Sequence, residues 1–582
     1  MPRVNPPLAT MLAAFILIAL PLGLEAQHYD ILLRGGWVLD GTGNPEVRAD
    51  VGIRGDRIAA IGRLTDATAD RVVDASGLHI VPGFIDLHSH ADRVLTGEDE
   101  RLRSAHNKVA QGITTIVGGP DGRSIWPISE EMEALRSPGI GVNFVPLVGH
   151  GTVRSLVMGA DYERAATPQE IQEMQALVRL GMEEGAWGLG AGPEYRPGRF
   201  SETKELVGLA EVVADYDGFY VSHQRTQSPL PQWQYPSMVT EMPEIGFEGT
   251  KETIEIGRAT GIRVVGTHIK TKGTDTWGWS ATDVLQVERA RAEGVQVFLD
   301  QYPYETFGGS AHVMVLPWAF VAPGTDYSGG RDDPLWNRDG VFDGFRNNLE
   351  ANLSDPRMGP LLVGDMEYHV RKRGGADRIF IVEAEAAPEL VGRTVAEIAD
   401  AWEMTAVETL FELARRYGTD DFPHGVRFRS VAGHAWDVEH YMKQPFTATS
   451  TDGIIGTGPA RPGQHPRSYG AFVRKVSHYA RDLGVISLPF AIRSNTSLPA
   501  LIIGLPDRGL VREGYMADLV VFDYHRLDDR ASMMEPDLYP EGIEFVLVNG
   551  AFAVDGGERT GALGGRVLDR KQVRPALEDG PR

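Results

Sequence analysis

The chain has 582 residues with 80 acidic and 57 basic side chains, which gives a formal net charge of −23. Such an acidic chain repels a phosphate backbone or an anionic membrane surface, so we expect no nucleic-acid partner. The sequence contains no cysteine, which excludes disulfides, thiolate nucleophiles and cysteine-bound zinc. Any metal binding or general-base chemistry therefore falls to the 16 histidines and the acids.

The first 26 residues have the pattern of a secretory signal peptide. Arg3 supplies a positive charge, residues 8–24 are almost wholly apolar, and a segment that resembles a cleavage site precedes Gln27. An uncleaved membrane anchor is the alternative, but the apolar run contains Pro21 and is short for a bilayer of about 30 Å. We therefore expect export to the periplasm or the exterior, with no stable membrane insertion after cleavage.

Both ends of the mature chain alternate apolar and polar residues around Gly and Asp turns. Residues 27–82 show this pattern first, and residues 506–582 show it again. A period of two residues between such turns is typical of β-hairpins. We predict a small β-sandwich built from the two ends of the chain.

Residues 83–505 repeat a unit of one helix followed by one strand. Thr167 is predicted to cap a helix, with Glu170 closing a capping box and Gly185 ending the helix just before a short strand. Ser201 is predicted to cap the next helix, which we expect to end at Gly218. Two further strands are preceded in the same way by Gly261 and Gly294.

Eight short apolar segments alternate with these helices, as expected for parallel strands that are buried on both faces. This α/β pattern favours a (β/α)8 barrel. An open dinucleotide-binding sheet is disfavoured because no GxGxxG follows the first strand. Residues 318–430 are too long for an ordinary connection and are predicted to form an insertion that caps the barrel mouth. The predicted strands are 84–87, 113–117, 142–148, 186–190, 219–221, 262–265, 295–299 and 446–449.

Histidines and an acid stand where predicted strands end, which is the rim where barrel active sites form. The first strand runs into His88 and His90, whose i and i+2 spacing points both rings to the same side. The fifth strand ends at His223, the sixth at His268 and the eighth at Asp452. A lone histidine at a strand end is usually structural, but this set in this order predicts a metal site with a neighbouring acid.

These residues and their motifs resemble the amidohydrolase superfamily, and within it the D-aminoacylase (N-acyl-D-amino-acid deacylase) branch, over about residues 29–570. The segment VPGFIDLHSHAD at 81–92 is typical of the superfamily, whereas DQYPY and HPRSYG are typical of the branch. Further shared motifs are QGITTIV at 111–117, LVGHGTVR at 147–154, YRPGRF at 195–200, SHQR at 222–225, THIK at 267–270 and STDG at 450–453.

The resemblance implies one or two zinc ions bound by the four strand-end histidines, with Asp452 as general acid and base. Zinc lowers the pKa of a bound water toward about 7, and a carboxylate can pass a proton from that water to the leaving amine. The implied reaction is hydrolysis of a linear amide in a small anionic substrate. That substrate is expected to be an N-acyl-D-amino acid or a dipeptide with a D-residue.

The ligand that bridges two metal ions is the main departure from the branch. The branch usually has a cysteine just after the second strand, and Asp121 stands in that place in the turn GPDG. In other superfamily members the bridging ligand comes from the fourth strand. In this chain Glu194 stands four residues after Gly190, at the end of that strand. Both acids are candidates, with Asp121 favoured by position. The candidate metal-binding residues are therefore His88, His90, Asp121, Glu194, His223, His268 and Asp452.

The resemblance also implies substrate-binding residues on the rim. Lys270 and Arg467 match positions that hold the substrate carboxylate, a task suited to a bidentate arginine. Other rim candidates, which would orient the substrate or brace the loops, are Tyr302, Tyr304, Arg225 and His150.

Two alternative functions are compatible with these residues. A cyclic-amide hydrolase of the dihydroorotase or hydantoinase kind, or a hydrolase of a bulkier amide, would use the same site on another substrate. A catalytically silent barrel scaffold would keep the fold without turnover, and the complete set of metal residues argues against it. The sequence leaves the oligomeric state and the stereochemistry of the substrate open.

Overall fold

The computed structural model describes residues 27–239, 248–308, 311–328, 334–456, 459, 461 and 463–574. The predicted signal peptide, residues 1–26, lies outside the described residues. Within the described ranges, no helix is long and apolar enough to cross a membrane.

The strands follow in chain order. They are β1 (His28–Val38), β2 (Val47–Arg54), β3 (Arg57–Gly62), β4 (Thr68–Asp74), β5 (His79–Pro82), β6 (Phe84–Asp86), β7 (Ser89–His90), β8 (Ile113–Val117), β9 (Asn143–Val145), β10 (Val148–Gly149), β11 (Gly188–Ala191), β12 (Phe219–Ser222), β13 (Arg263–Gly266), β14 (Val297–Gln301), β15 (Ile379–Glu383), β16 (Arg427–Ser430), β17 (Thr447–Thr449), β18 (Gly453–Ile454), β19 (Leu519–Phe522), β20 (Ile543–Val548), β21 (Ala551–Asp555) and β22 (Glu558–Arg559).

The α-helices follow in the same order. They are α1 (Asp92–Leu95), α2 (His106–Val109), α3 (Ile128–Arg136), α4 (His150–Met158), α5 (Pro168–Glu184), α6 (Thr203–Ala214), α7 (Glu248–Thr260), α8 (Ser280–Ala292), α9 (Phe345–Ser354), α10 (Met358–Lys372), α11 (Val395–Trp402), α12 (Ala406–Tyr417), α13 (Ala435–Met442), α14 (Arg467–Arg474), α15 (Leu488–Asn495), α16 (Ser497–Ile503) and α17 (Arg570–Val573).

The two ends of the chain join in one nine-stranded sheet. Its order is β22-β21-β20-β19-β5-β1-β2-β3, and β4 also pairs with β1. The C-terminal strands enter beside β5, where Leu519 pairs with Pro82. Buried side chains from both ends, such as Val51 and Leu547, share one core. The predicted association of the two ends is confirmed, and hydrogen bonds make it one continuous sheet.

Parallel strands from the middle of the chain form the barrel wall. One sheet contains β6, β8 and β9, and a second contains β10, β11, β12, β13, β14 and β17. The predicted third strand is divided at Pro146, with β9 paired to β8 and β10 paired to β11. Beyond the strand ends, Gly453 of β18 pairs with Ser89 of β7, so the segments that follow the eighth and the first strand lie side by side. The predicted (β/α)8 class is confirmed.

The capping signals in the sequence predicted the start of one barrel helix correctly and the start of the next incorrectly. Helix α5 begins after Thr167, whose side chain forms the predicted capping box with Glu170, and it ends at Gly185 with a φ of 122°. The prediction that Ser201 caps α6 is wrong, because its hydroxyl donates to a backbone carbonyl three residues earlier at 2.7 Å. Helix α6 begins at Thr203 and already ends at Ala214.

The predicted insertion is a small unit with its own core. Between β14 and β17 it contains helices α9 to α12 and the antiparallel pair β15 and β16. Phe345, Leu410 and Phe428 are buried in its centre. The end of α10 packs closely on the loop after β13, since a Cβ atom on Gly273 would lie 2.5 Å from the Cα of Lys372. We call this unit, together with its connections to the barrel, the cap.

Candidate metal centre

A cavity of about 780 Å³ lies between the carboxyl ends of the barrel strands and the cap. The barrel side is lined by His90, His223 and His268, together with Asp121 and Asp452. These five side chains come from five different strand ends or the loops that follow them, as the barrel geometry predicts.

His88 is fully buried behind this cavity and is held in one tautomer. Its Nδ1 lies 2.8 Å from the hydroxyl of Thr267, which donates its own hydrogen to Asp300. Nδ1 is therefore the donor, and Nε2 keeps its lone pair. Burial lowers the pKa of His88 to about 4, so the ring is neutral. Among the described residues Nε2 has no hydrogen-bond partner, as expected of a nitrogen that binds a metal.

Asp121 lies between two groups of histidines. Its Oδ1 is 3.5 Å from Nε2 of His88 and 3.4 Å from Nδ1 of His223. The same oxygen is 3.7 Å from Nε2 of His268, while Oδ2 is 3.5 Å from Nε2 of His90. His88 and His90 form one group of potential ligands with Asp121, and His223 and His268 form a second group with the same residue. This arrangement suits a carboxylate that bridges two metal ions.

The turn that carries Asp121 has a left-handed backbone. Asp121 has a φ of 54°, and Gly119 before it has a φ of 74°. A Cβ atom on Gly119 would lie 2.8 Å from the carbonyl oxygen of Leu147, so the turn requires glycine there. Asp92 accepts a hydrogen bond from the N–H of Gly119 at 3.2 Å. Sequence reasoning missed this supporting role, although Asp92 belongs to the same HSHAD motif as two of the histidines.

Glu194 contacts His223 and lies outside the two groups of potential ligands. Its Oε2 lies 2.9 Å from Nε2 of His223 and 3.3 Å from Nζ of Lys272, and its Oε1 accepts from the N–H of Gln232 at 2.8 Å. Burial raises the pKa of Glu194, but the charges of Lys272 and His223 lower it further, to well below its ordinary value. Both carboxylate oxygens of Glu194 thus have partners on the side of His223 that faces away from Asp121. These contacts place Glu194 against the nitrogen of His223 that faces away from Asp121, where it can orient the ring, and its role as a metal ligand stays a prediction.

His268 and Lys270 lie on the same loop and contact each other. Nε2 of His268 faces Asp121, whereas Nδ1 is 2.7 Å from Nζ of Lys270. Lys270 also donates to the side-chain oxygen of Gln227 at 3.0 Å. Burial lowers the pKa of Lys270 well below its usual range. Lys270 lines the cavity, so its predicted contact with substrate is compatible with its position.

Asp452 lies beside the histidines and outside both groups of potential ligands. Its Oδ1 is 3.1 Å from Nε2 of His90 and 3.7 Å from Nε2 of His88. Its Oδ2 accepts a hydrogen bond from the guanidinium of Arg467. Burial raises the pKa of Asp452, but Arg467 and the neighbouring histidines lower it further, to well below its ordinary value. Asp452 is therefore an ionised carboxylate that can accept a proton, and its role as a further metal ligand stays a prediction.

A buried ion pair that sequence reasoning missed joins the ends of the first and eighth strands. Nζ of Lys108 lies 3.0 Å from Oδ2 of Asp86 and 2.7 Å from the hydroxyl of Thr451. Oδ1 of Asp86 accepts from the backbone N–H of Thr451 at 2.8 Å and of His88 at 3.3 Å. Both charged side chains are fully buried. Asp86 and Lys108 thus bind Thr451, and Asp86 also binds the backbone of His88. Because Asp452 directly follows Thr451, the ion pair fixes the position of Asp452 relative to His88.

Some of the predicted substrate-binding residues line the cavity and others do not. Tyr302 and Arg467 line the cavity, and the guanidinium carbon of Arg467 lies 4.7 Å from the centre of the Tyr302 ring. Tyr304 does not line it, because its ring packs 5.1 Å from that of His465 and its hydroxyl donates to Asp529 at 3.5 Å. The structure therefore places Tyr304 behind the cavity lining, and its contact with substrate stays a prediction.

His150 and Arg225 also lie outside the residues that line the cavity. Nε2 of His150 is 2.8 Å from Glu205 in a fully buried pair. Arg225 forms an ion pair with Glu252 at 2.8 Å. Each is paired with an acid of a neighbouring helix, which agrees with the alternative that they brace the loops, and their contact with substrate stays a prediction.

Comparisons with known proteins agree with this arrangement. The model of the amidohydrolase family matches residues 71–224 and 362–554. D-aminoacylase of Alcaligenes xylosoxydans xylosoxydans is 32% identical and spans 94% of this chain and 99% of its own length. N-acyl-D-glutamate deacylase of the same organism is 31% identical over 90% of this chain and 93% of its own length. The structure of N-acyl-D-glutamate deacylase from Bordetella bronchiseptica, solved with zinc and a phosphonate that mimics the tetrahedral intermediate, is 29% identical, with a TM-score of 0.68 over 93% of this chain and 100% of that chain.

Proposed function

The chain belongs to the amidohydrolase family, and on this basis we propose that it is a zinc-dependent deacylase of N-acyl-D-amino acids. The observation that carries the proposal is the position of Asp121 between two pairs of histidines, beside the ionised Asp452. Relatives that span most of the chain act on N-acyl-D-amino acids, as their names state.

The residues fit zinc. Imidazole nitrogens and a carboxylate are ligands that this borderline-soft ion accepts. Nε2 of His88 and Oδ1 of Asp121 are buried without hydrogen-bond partners among the described residues, so both atoms are left for a cation. Zinc, when bound, lowers the pKa of a coordinated water toward about 7 and polarises the amide carbonyl.

Asp452 is placed to move the proton that amide hydrolysis requires. Its Oδ1 points to the same side as Nε2 of His88 and His90, at 3.7 and 3.1 Å. Water adds to the amide carbon and gives one proton to Asp452. The carboxylic acid then gives that proton to the amide nitrogen as the C–N bond breaks. The products are a carboxylate and a free amino acid, and Asp452 is regenerated.

Arg467, Lys270 and Tyr302 supply a polar wall for the α-carboxylate of the substrate. One nitrogen of Arg467 is engaged with Asp452, and its other N–H groups can donate into the cavity. Lys270 lies 5.4 Å from the centre of the Tyr302 ring, so both cations flank the same aromatic side chain. A carboxylate held here would place the adjacent amide next to Asp452.

The test is a panel of paired N-acetyl-D- and N-acetyl-L-amino acids, assayed with added zinc and with a chelator. We expect release of acetate from D-substrates that depends on zinc. Turnover of the L-series alone would contradict the D-specificity. Turnover of hydantoins or dihydropyrimidines without cleavage of any linear amide would favour the cyclic-amide alternative, and no turnover of either class would favour a silent scaffold.

Export is part of the same proposal. It is supported by the charge at Arg3, the apolar run at 8–24 and the cleavage-site pattern before Gln27. N-terminal sequencing of the protein purified from its native host tests it. We expect the mature chain to start near Gln27, and a chain that begins at residue 1 or 2 in the cell interior would contradict export.

A further inference from the structure

Arg467, which is expected to hold the α-carboxylate of the substrate, has a backbone N–H at the very start of a helix. Helix α14 begins at Arg467, directly after Pro466. The first N–H groups of a helix have no acceptor within that helix, and the side chain of proline cannot accept a hydrogen bond. The side chain of His465 supplies the acceptor, because its Nδ1 binds the N–H of Arg467 at 3.0 Å.

The other ring nitrogen of His465 binds the loop that follows β14. Nε2 donates to the backbone carbonyl of Thr306 at 2.8 Å. A carbonyl can only accept and a backbone N–H can only donate, so the tautomer with hydrogen on Nε2 satisfies both contacts. Burial and the charges of Arg467 and Arg429 lower the pKa of His465 well below its usual range, so the ring is neutral. His465 lines the cavity, yet both of its nitrogens are engaged by the backbone and neither is left for a substrate.

The ring of His465 also packs against Tyr302. The two ring centres lie 5.3 Å apart, with the rings nearly perpendicular. The guanidinium carbon of Arg467 lies 4.7 Å from the centre of the same tyrosine ring. His465 therefore contacts two residues of the proposed carboxylate site that come from different loops, since Tyr302 follows β14 and Arg467 begins α14.

Arg429 of the cap joins the same two loops a second time. Its buried guanidinium donates to the carbonyls of Phe307 at 3.3 Å and Gly308 at 2.8 Å in the loop after β14. It also donates to the carbonyl of Gly463, which precedes α14. Loss of the bond from His465 to Thr306 would therefore leave the two loops connected. Within the described part of the chain, by contrast, the N–H of Arg467 has His465 as its acceptor and no other.

We propose that His465 is a positioning residue for substrate binding, whose Nδ1 fixes the backbone of Arg467 so that the guanidinium is held over Tyr302 for the α-carboxylate. This inference rests on the proposed deacylase function. The bond to Thr306 is secondary, because Arg429 already joins the same loops. A histidine that served only the stability of the fold would have no preference for one part of the substrate, so the two hydrogen bonds have to be separated by experiment.

Two substitutions separate them. In His465→Asn the side-chain oxygen takes the place of Nδ1 and can accept from Arg467, whereas the bond to Thr306 is lost. In His465→Gln the side-chain nitrogen reaches the place of Nε2 and can donate to Thr306, whereas the N–H of Arg467 loses its acceptor. We expect His465→Gln to raise KM about tenfold with kcat changed less than about threefold, the effect of one unpaired buried N–H on the residue that binds substrate. We expect the conservative His465→Asn to restore KM to within about threefold of the parent enzyme.

The measurement is steady-state kinetics of the zinc-loaded enzyme on the N-acetyl-D-amino acid that it hydrolyses fastest. The α-carboxamide of the same compound is tested as a competitive inhibitor. Its Ki should be equal in His465→Gln and the parent, because it lacks the carboxylate that Arg467 holds. His434→Gln is the matched control, since Nδ1 of His434 accepts from the N–H of Trp436 at the start of α13 in the same way but outside the cavity lining. This control should leave KM unchanged.

An unchanged KM in His465→Gln overturns the inference and leaves the deacylase function standing. An equal rise of KM in both His465 variants also overturns it, and so does a rise in the Ki of the carboxamide as large as the rise in KM. If His465→Gln does not fold by circular dichroism, His465→Met, which fills a similar volume without an acceptor, is measured with the same outcomes. Absence of turnover of every N-acyl-D-amino acid by the parent overturns the function itself and this inference with it.

Discussion

Arg467 forms a buried ion pair with Asp452, so the residue expected to hold the substrate carboxylate also contacts the residue expected to move the proton. The pair keeps Asp452 ionised and directs its Oδ2 away from the histidines, which leaves Oδ1 to face Nε2 of His90 at 3.1 Å. One guanidinium therefore contacts both the expected carboxylate site and the expected general acid and base.

Asp452→Asn should abolish most turnover without loss of metal. The amide cannot accept a proton, and general acid–base catalysis typically contributes about 10²- to 10⁴-fold in rate. We expect kcat to fall by roughly that factor. The zinc content measured by elemental analysis should not change, because Asp452 is not in either group of potential ligands. A fully active variant would refute the assigned role, and an inactive variant that has lost its zinc would make Asp452 a ligand.

Arg467→Lys should raise KM more than it lowers kcat. Lysine keeps the positive charge but loses the bidentate geometry that suits a carboxylate. We expect KM for an N-acyl-D-amino acid to rise about tenfold, the usual effect of about 1.4 kcal/mol. Arg474→Lys is the matched control, because Arg474 lies on the same helix and pairs with Asp529 at 3.2 Å outside the cavity lining. Equal effects of the two variants on KM would show that Arg467 acts only through the fold.

Substitution of Asp121 should change how zinc is held. Asp121→Asn removes the charge that both histidine pairs share, so we expect the number of zinc ions per chain to fall in equilibrium dialysis. Asp121→Cys places a softer thiolate at the same position, and we expect zinc to resist chelator competition better than in the parent. Unchanged zinc content in Asp121→Asn would contradict the bridging position.

Glu194→Gln should weaken zinc binding through His223. Loss of a carboxylate that orients a ligand histidine typically costs about 10- to 100-fold in metal affinity. Glu205→Gln provides the comparison, because Glu205 is equally buried but pairs with His150 away from the metal centre. We expect Glu205→Gln to lower the thermal midpoint without a change in zinc affinity. If both variants lose zinc equally, the lower zinc affinity is caused by a general loss of folding and not by a change in the orientation of His223.

Much of this site follows from the sequence alone. In a parallel barrel all strands end at one rim, so histidines that directly follow apolar segments must meet there once the strands are identified. His88, His90, His223 and His268 were found in this way, and Asp452 with them. The hairpin pattern of residues 27–82 and 506–582 likewise predicted that the two ends share a structure, because a period of two is a local property of the chain.

Only the tertiary structure decided which polar side chains face the cavity. Tyr302 and Tyr304 differ by two positions, yet one lines the cavity and the other packs behind it against His465. The choice between Asp121 and Glu194 depended on partners far away in the chain, since Glu194 is engaged by His223, Lys272 and the backbone of Gln232. The direction of a loop side chain is determined by contacts across many residues. Local sequence patterns therefore locate the strand ends but do not determine which way the loop side chains point.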